Sequence, residues 1–370
     1  MDGWQKLPLW KVIQLQYGKP LDTNDRNPAG LYPVYGANGE KDRTDKFCCD
    51  KPSIIVGRKG SAGEVTLTED KFWPLDVTYF VEFDRNRHDL RFLYHLLTTL
   101  NLPSLAKGVK PGINRNEVYA LPVNVPSLAQ QRRIVAILDE AFEAIARAKA
   151  NTEKNLQNAR EVFTSEVASI FATGRSDWPV KTLPELSQNL DSKRVPITKS
   201  SRKTGEYPYY GASGIVDYVA EYIFDENTLL ISEDGANLLA RSTPIAFSVS
   251  GKYWVNNHAH ILRFNDMRTQ RFVEYYMESI PLDSYITGAA QPKLNQKALN
   301  SIPIPIPDNL DGQQAVVVRI EGLEQQTESL KDIGRHKLAA LDELKKSLLH
   351  QAFTGQLTAK ATDSQLAEVA

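Results

Sequence analysis

Gly30-Leu31-Tyr32-Pro33-Val34-Tyr35-Gly36-Ala37-Asn38-Gly39 returns 175 residues later as Gly205-Glu206-Tyr207-Pro208-Tyr209-Tyr210-Gly211-Ala212-Ser213-Gly214. The next block keeps the offset: Ile54-Ile55-Val56-Gly57-Arg58-Lys59-Gly60 faces Leu229-Leu230-Ile231-Ser232-Glu233-Asp234-Gly235. The offset then becomes 181, where Phe72-Trp73 faces Tyr253-Trp254 and Leu121 to Pro126 faces Ile302 to Pro307. Gln130-Gln131 faces Gln313-Gln314 further on. A unit of this length is far longer than a solenoid repeat and marks a duplicated domain with its connector. The chain is therefore expected to have internal pseudo-twofold symmetry.

Working outward, Ser53 to Val56, Glu64 to Thr68, Val77 to Phe83, Thr228 to Ser232 and Ile245 to Val249 are short apolar runs bounded by turn residues, and predict strands. Asp89 to Thr99 and Gln270 to Ser279 carry apolar residues at helical spacing. Leu121 to Pro126 and Ile302 to Pro307 alternate apolar residues with Pro, which lacks the N–H of a central strand, so they predict edge-like connectors. Each connector leads into a long helix. Ser127 to Gln130 has capping-box spacing, and Asp311 to Gln314 resembles it. Apolar or small residues recur at Ile134, Leu138, Ala141, Ile145, Ala148, Thr152, Leu156, Ala159 and Phe163, then at Val316, Ile320, Leu323, Thr327, Leu330, Gly334, Leu338 and Leu341. This is a heptad seam with one extra residue near the middle. Roughly 40 residues at ~1.5 Å each make a helix of about 60 Å. A seam that narrow must be covered, and the other copy, antiparallel, is the expected cover. Gly174 and Gly355 stand where a C-terminal glycine would stop each helix. The fold class is α+β, with two pseudo-symmetric globular domains separated by two long antiparallel coiled-coil helices.

Composition bounds the function. The 370 residues carry 44 basic and 45 acidic side chains, which excludes a polybasic tail but not a local nucleic-acid patch. No apolar run reaches the ~18 residues of a membrane span, and no signal-peptide core opens the chain, so a cytoplasmic location is expected. The two cysteines, Cys48 and Cys49, are adjacent, which excludes a disulfide framework and a Cys-rich zinc site. No Gly-Lys-Ser/Thr phosphate loop and no Asn/Asp-Pro-Pro-aromatic segment occurs, so ATP-driven and methyl-transfer catalysis are not expected here. His258-Ala259-His260 could place two imidazoles on one strand face, but without a nearby Cys a structural role or a DNA contact outweighs metal binding. Trp73 and Trp254, at equivalent positions, are expected to pack rather than to stack on bases.

Several segments together carry a family likeness. They are Lys293-Leu294-Asn295, the Pro-alternating Ile302 to Pro307, Gln313-Gln314, and the helix end from Leu344 to Leu357 with Phe353-Thr354-Gly355. The first half repeats the series in the same order. The chain resembles the specificity subunits of type I restriction-modification systems over essentially its whole length. It departs from their usual pattern at Ala129 and Gly312, where an acidic residue commonly precedes the glutamines, and at Lys107-Gly108-Val109 and Gly288-Ala289-Ala290.

The resemblance implies target recognition domains at residues 1–125 and 175–307, spacer helices at 126–174 and 308–357, and a short tail at 358–370. It implies a non-catalytic subunit that reads a bipartite, asymmetric double-stranded DNA target. It also implies two modification subunits carrying S-adenosylmethionine, and restriction subunits using ATP and Mg, with no cofactor on this chain and no membrane partner. Gly-rich loops supply the candidate DNA contacts. In the first half these are Lys41, Arg43, Arg58, Lys59, Ser61, Lys107, Lys110, Asn114 and Arg115. In the second they are Lys199, Arg202, Lys203, Glu233, Asp234, Asn237, Arg241, Lys293 and Asn295. Arg58-Lys59 facing Glu233-Asp234 is a charge reversal at equivalent positions. Arg or Lys suits guanine acceptors and Glu or Asp the cytosine amino group, so the halves are expected to read different bases. The alternative is a coiled-coil scaffold whose globular domains bind protein.

Overall fold

The short apolar runs do become strands, and they sort into two units. The structure is a computed structural model describing residues 3–174, 176–288 and 291–357. One unit joins Met1–Thr152 to His336–Ala370, and the other is Glu153–Arg335. The tail from 358 and Ala289-Ala290 lie outside the described residues.

The first unit contains β1 (Gln5–Pro8), β2 (Gln14–Tyr17), β3 (Tyr32–Gly36), β4 (Gly39–Thr44), β5 (Ser53–Gly57), β6 (Val65–Thr68), β7 (Trp73–Pro74) and β8 (Thr78–Glu82). Then come α1 (Leu90–Thr99), α2 (Arg115–Tyr119), β9 (Pro122–Val125) and the start of α3 (Leu128–Gly174). The buried run of β5 sits inside an antiparallel sheet of order β2-β8-β5-β6. A second sheet, β4-β3-β7, pairs β3 with β7 in parallel. The connector strand β9, which opens on Pro122, pairs with β1 alone among the described residues, as suits an edge strand. Asp89 caps α1 by accepting from the Arg91 and Phe92 amides at 3.0 Å, and the helix buries Phe92, Leu93, Leu96 and Leu97.

The second unit repeats this plan. It holds β10 (Val180–Lys181), α4 (Leu183–Leu186), β11 (Ser187–Asn189), β12 (Thr204–Gly211), β13 (Gly214–Val219), β14 (Phe224–Asp225), β15 (Thr228–Ser232) and α5 (Asn237–Ala240). These are followed by β16 (Ala246–Val249), β17 (Lys252–Val255), β18 (Ala259–Phe264), α6 (Met267–Ser279), α7 (Gln296–Asn300), β19 (Ile304–Pro305) and the start of α8 (Leu310–Phe353). Its sheets, β11-β18-β15-β16 and β13-β12-β17-β14, match those of the first unit strand for strand, with β14 in addition. Val34 pairs with Trp73 as Tyr209 pairs with Trp254. Both indole N–H groups donate to a backbone carbonyl, of Lys19 and Val195, which is the framework role expected. Ile302, Ile304 and Ile306 are all buried, so the Pro alternation aims one residue in two at the core.

The helix seam is largely as read. Ile134, Leu138, Ile145 and Thr152 are buried on α3, and Ile320 on α8. Leu330 is not part of it: it is 53% exposed, because the extra residue shifts the phase and Gly334 takes the next buried position. Within the first unit Lys345 lies over the Phe142 ring and Lys149 pairs with Asp342, which is an antiparallel pairing. Within the second, Gly334 packs against Leu156.

Three local readings change. The cap of α8 is Asn309, whose Oδ1 accepts from the Gly312 amide at 2.6 Å, not Asp311. Gly174 is the last residue of α3, and a Cβ there would lie 2.3 Å from the Trp178 ring, so close packing requires it. Gly355, with φ +76°, does end α8 in the left-handed region. Finally, Gln131, not Gln130, is the structural match of Gln313: each buried amide donates to a carbonyl just before its helix, Pro126 at 2.9 Å and Pro307 at 2.8 Å. Gln130 instead closes the box with Ser127, each accepting from the other's amide at 3.4 Å.

Candidate nucleic-acid interface

In each unit three loops converge at one end of the β5 or β15 strand. In the first, the Ile113 amide donates to the Arg58 carbonyl at 3.1 Å and the Gly60 amide to that of Pro111 at 2.8 Å. In the second, Leu294 donates to Glu233 at 2.7 Å and Gly235 to Pro292 at 3.0 Å. These are the same bonds between equivalent residues. Gly60 (φ +85°) and Gly235 (φ +107°) make the turn that allows them. The third loop is the β3–β4 or β12–β13 hairpin tip. A Cβ on Gly57 would lie 2.5 Å from the Ala37 carbonyl, whereas the equivalent Ser232 donates its hydroxyl to the Ala212 carbonyl. The sequence singled out all three loops, and the structure brings them together as one platform per unit.

The side chains on the two platforms differ. In the first, Arg58 donates through Nε to the Asp76 carbonyl at 3.0 Å and lies 5.4 Å from the centre of the Tyr17 ring. Arg115 lies 5.2 Å from the same ring and 5.8 Å from that of Tyr119. Tyr17 meets Tyr79 edge-on at 5.1 Å, and burial pushes the Tyr79 phenol up to about 12. The platform is thus cationic and aromatic, suited to acceptor-rich bases and phosphate. Lys59, Ser61 and Lys110 are exposed, with no side-chain hydrogen bond or ion pair among the described residues. Lys107 pairs with Glu117 at 2.6 Å, and Asn114 caps α2 through the Asn116 amide.

The second platform is an ion-pair network. Glu233 is buried against Arg194 and against Lys293, the latter at 3.1 Å. His260 faces Asp191 at 2.6 Å through Nδ1 and the Leu294 carbonyl at 2.8 Å through Nε2. Burial raises the Glu233 carboxyl, but Arg194, His260 and Lys293 outweigh it and hold it below the ordinary range. Burial opposes ionisation of Asp191 too, and His260, the Ile261 amide and Arg194 again prevail. Asp191, Glu233 and His260 bring ligand atoms within 4.8 Å of one another. Two cations already neutralise the carboxylates and both imidazole nitrogens face acceptors, so the cluster is a structural salt-bridge network rather than a metal site. Asp234 is more accessible and meets His258 Nδ1 at 2.9 Å.

The remaining candidates are placed elsewhere. Lys41 runs along Gly36 on β4. Arg43 is held by the Gly30 and Leu31 carbonyls, each at 2.7 Å, and by Glu40. Arg202 pairs with Asp217 and lies 4.5 Å from the centre of the Tyr209 ring. Lys199 and Lys203 are exposed, with no side-chain hydrogen bond or ion pair among the described residues. After the hydrogen bond from Arg202, the charge of Lys199 helps hold the Asp217 carboxyl below its ordinary range. Asn237 ties down its own turn through Thr243, and Arg241 (φ +49°) donates to the Ile280 and Met277 carbonyls at the end of α6. Asn295 caps α7. Tyr17, Tyr79, Asp191 and Arg194 were not among the candidates. The repeat contained the signal for one of them: Tyr79 and His260 are equivalent, and the Tyr79 hydroxyl reaches the Ile113 carbonyl at 3.5 Å as His260 reaches Leu294.

The family model for the type I restriction modification DNA specificity domain matches residues 1–157 and again 175–335. The chain is 23% identical to the type I restriction enzyme EcoDI specificity subunit of Escherichia coli, over 96% of this chain and 89% of that protein. It is 35% identical to a putative type I restriction enzyme specificity subunit of Haemophilus influenzae, over 40% of this chain and only 37% of that one. The HsdS subunit of Thermoanaerobacter tengcongensis has a similar fold, with TM-score 0.60 at 18% identity over 96% of this chain and 98% of that one. A chain from a study of complex assembly in a type I R-M system gives 0.74 at 17%, over 96% of this chain and 99% of that one. With two copies of the domain and the same fold in each unit, this chain belongs to the type I restriction-modification DNA specificity family, as a non-catalytic specificity subunit.

Proposed function

We propose that the chain reads a split, asymmetric DNA target, one half-site per platform, and docks two adenine-methyltransferase subunits along α3 and α8. The observation that carries this reading is one loop scaffold bearing different chemistry: Arg58 and Lys59 in one unit, and Asp234 beside an internally paired Glu233 in the other. Guanine offers O6 and N7 acceptors to Arg or Lys, and cytosine offers an amino donor to a carboxylate. Because Glu233 is committed to Arg194 and Lys293, Asp234 with His258 is the reading element of the second platform. Lys59, Lys110, Lys199 and Lys203 supply phosphate contacts.

Val162, Val318, Leu330 and Ile333 are exposed on the helices, each more than half, which suits a protein partner better than water. The modification subunits bring S-adenosylmethionine; restriction subunits, with ATP and Mg, complete the assembly. The length of α3 and α8 sets the spacer between half-sites. The test is a map of methylated adenines in cells carrying this gene and its neighbours, compared with cells lacking this gene alone. A split motif with fixed spacing that disappears on deletion is expected. Methylation unchanged by the deletion would contradict the reading.

A further inference from the structure

Cys48 and Cys49 lie between β4 and β5, outside both platforms. Both amides donate to the Phe72 carbonyl at 3.2 Å, and Phe72 returns a bond to Cys49 at 3.0 Å. In the second unit the equivalent residues are Ile223 and Phe224, and Phe224 pairs with Tyr253 in the same way. The framework therefore needs only an apolar pair here. Two thiols meet the packing demand of Cys49 but leave Cys48 exposed, with its sulfur 3.9 Å from that of Cys49.

That separation has a chemical meaning. A disulfide needs sulfurs about 2.05 Å apart, so this pair would have to close by nearly 2 Å while its backbone stays bound to Phe72. Two sulfurs 3.9 Å apart can instead both bind one ion at about 2.3 Å, with a sulfur–metal–sulfur angle of about 116°, close to tetrahedral. The sulfurs open onto a cavity whose walls include Asp50, Glu82 and Asp84 against Lys51 and Arg85. Arg85 is already held by the Pro52 carbonyl and the Phe83 ring. Lys19 also acts on both thiols, so the walls carry both signs and the two sulfurs supply the binding. We propose that Cys48 and Cys49 chelate one soft divalent cation of the zinc–cadmium class.

Binding forms two metal–sulfur bonds, sheds the waters that the six-coordinate aqua ion loses on becoming four-coordinate, and releases the two thiol protons to solvent; no electrons change hands. No third His, Cys, Asp or Glu joins the pair in a ligand cluster among the described residues, so the other two positions go to water or a small thiol and the ion exchanges readily.

The test is a titration of the full chain, reduced and metal-free, with Cd2+ alone, read by the ultraviolet thiolate-to-cadmium absorption. The chain has only these two cysteines, so any such band belongs to them. The band is expected to saturate at one Cd2+ per chain, to protect both thiols from alkylation, and to be lost in Cys48→Ser and in Cys49→Ser. Cys48→Ser keeps the test open should Cys49→Ser fail to fold, because Cys48 is the exposed member. No band in the intact chain, saturation at half an equivalent (two chains sharing an ion), or a full band in either variant would overturn the proposal.

Discussion

Position 57 decides the first platform. Its glycine leaves room for the Ala37 and Ser61 carbonyls, which lie 2.5 and 2.1 Å from where a Cβ would be. Gly57→Ala should cost about 1–3 kcal/mol, the range for overpacking, and should abolish reading of one half-site while the other persists. Thermal unfolding and a methylation map of the variant check both parts. In the second unit the decisive residue is Asp191. Its carboxyl is depressed below 3.8, as that of Glu233 is below 4.5, so both contribute stability that is intact above pH 4.5. That stability is lost as pH falls through their lower folded-state values. Asp191→Asn should therefore cost about 3–5 kcal/mol at neutral pH and flatten the acid limb of the stability curve. An unchanged acid limb, measured by thermal unfolding against pH, would contradict the network. The charge reversal between Arg58 and Glu233 was legible in the sequence because the repeat aligns the two residues. The commitments of Arg43, Arg241 and Glu233 were not. Their partners at Gly30, Ile280 and Arg194 are brought close only by the tertiary fold.

The helices were the most legible elements, since a seam at 3.5-residue spacing is written directly into residue types. Leu330 was misplaced because an inserted residue rotates everything after it by about 100°, and composition does not say where the phase recovers. Asn309 was missed as a cap because the Pro-rich connector ahead of it hides where helical dihedrals begin. Two glycines on α8 now separate cleanly. At Gly322 a Cβ meets nothing within 4 Å, so Gly322→Ala should stabilise the chain by up to about 1 kcal/mol through helix propensity. At Gly334 a Cβ falls 2.6 Å from a Leu156 methyl, so Gly334→Leu should destabilise it by about 1–3 kcal/mol. Thermal unfolding of the two variants should move in opposite directions.

At the scale of the whole molecule, the duplication accounts for most of what was readable. Each unit rebuilds the same two sheets, the same aspartate-capped helix after them (Asp89 on α1, Asp266 on α6) and the same three-loop platform, from sequences that agree at turns and core positions and differ at the loop side chains. α3 and α8 each contribute residues to both units. Inserting about four residues, one helical turn, into each should alter the spacer of the methylated motif and leave both half-sites intact. Altered half-sites with a constant spacer would contradict the role given to the helices.

Each platform is proposed to read its own half of the target. The most direct measurement is a methylation map after residues 1–125 are replaced by the corresponding domain of another family member. One half of the split motif should change, with the other half and the spacer retained. A motif altered in both halves, or in neither, would contradict the account.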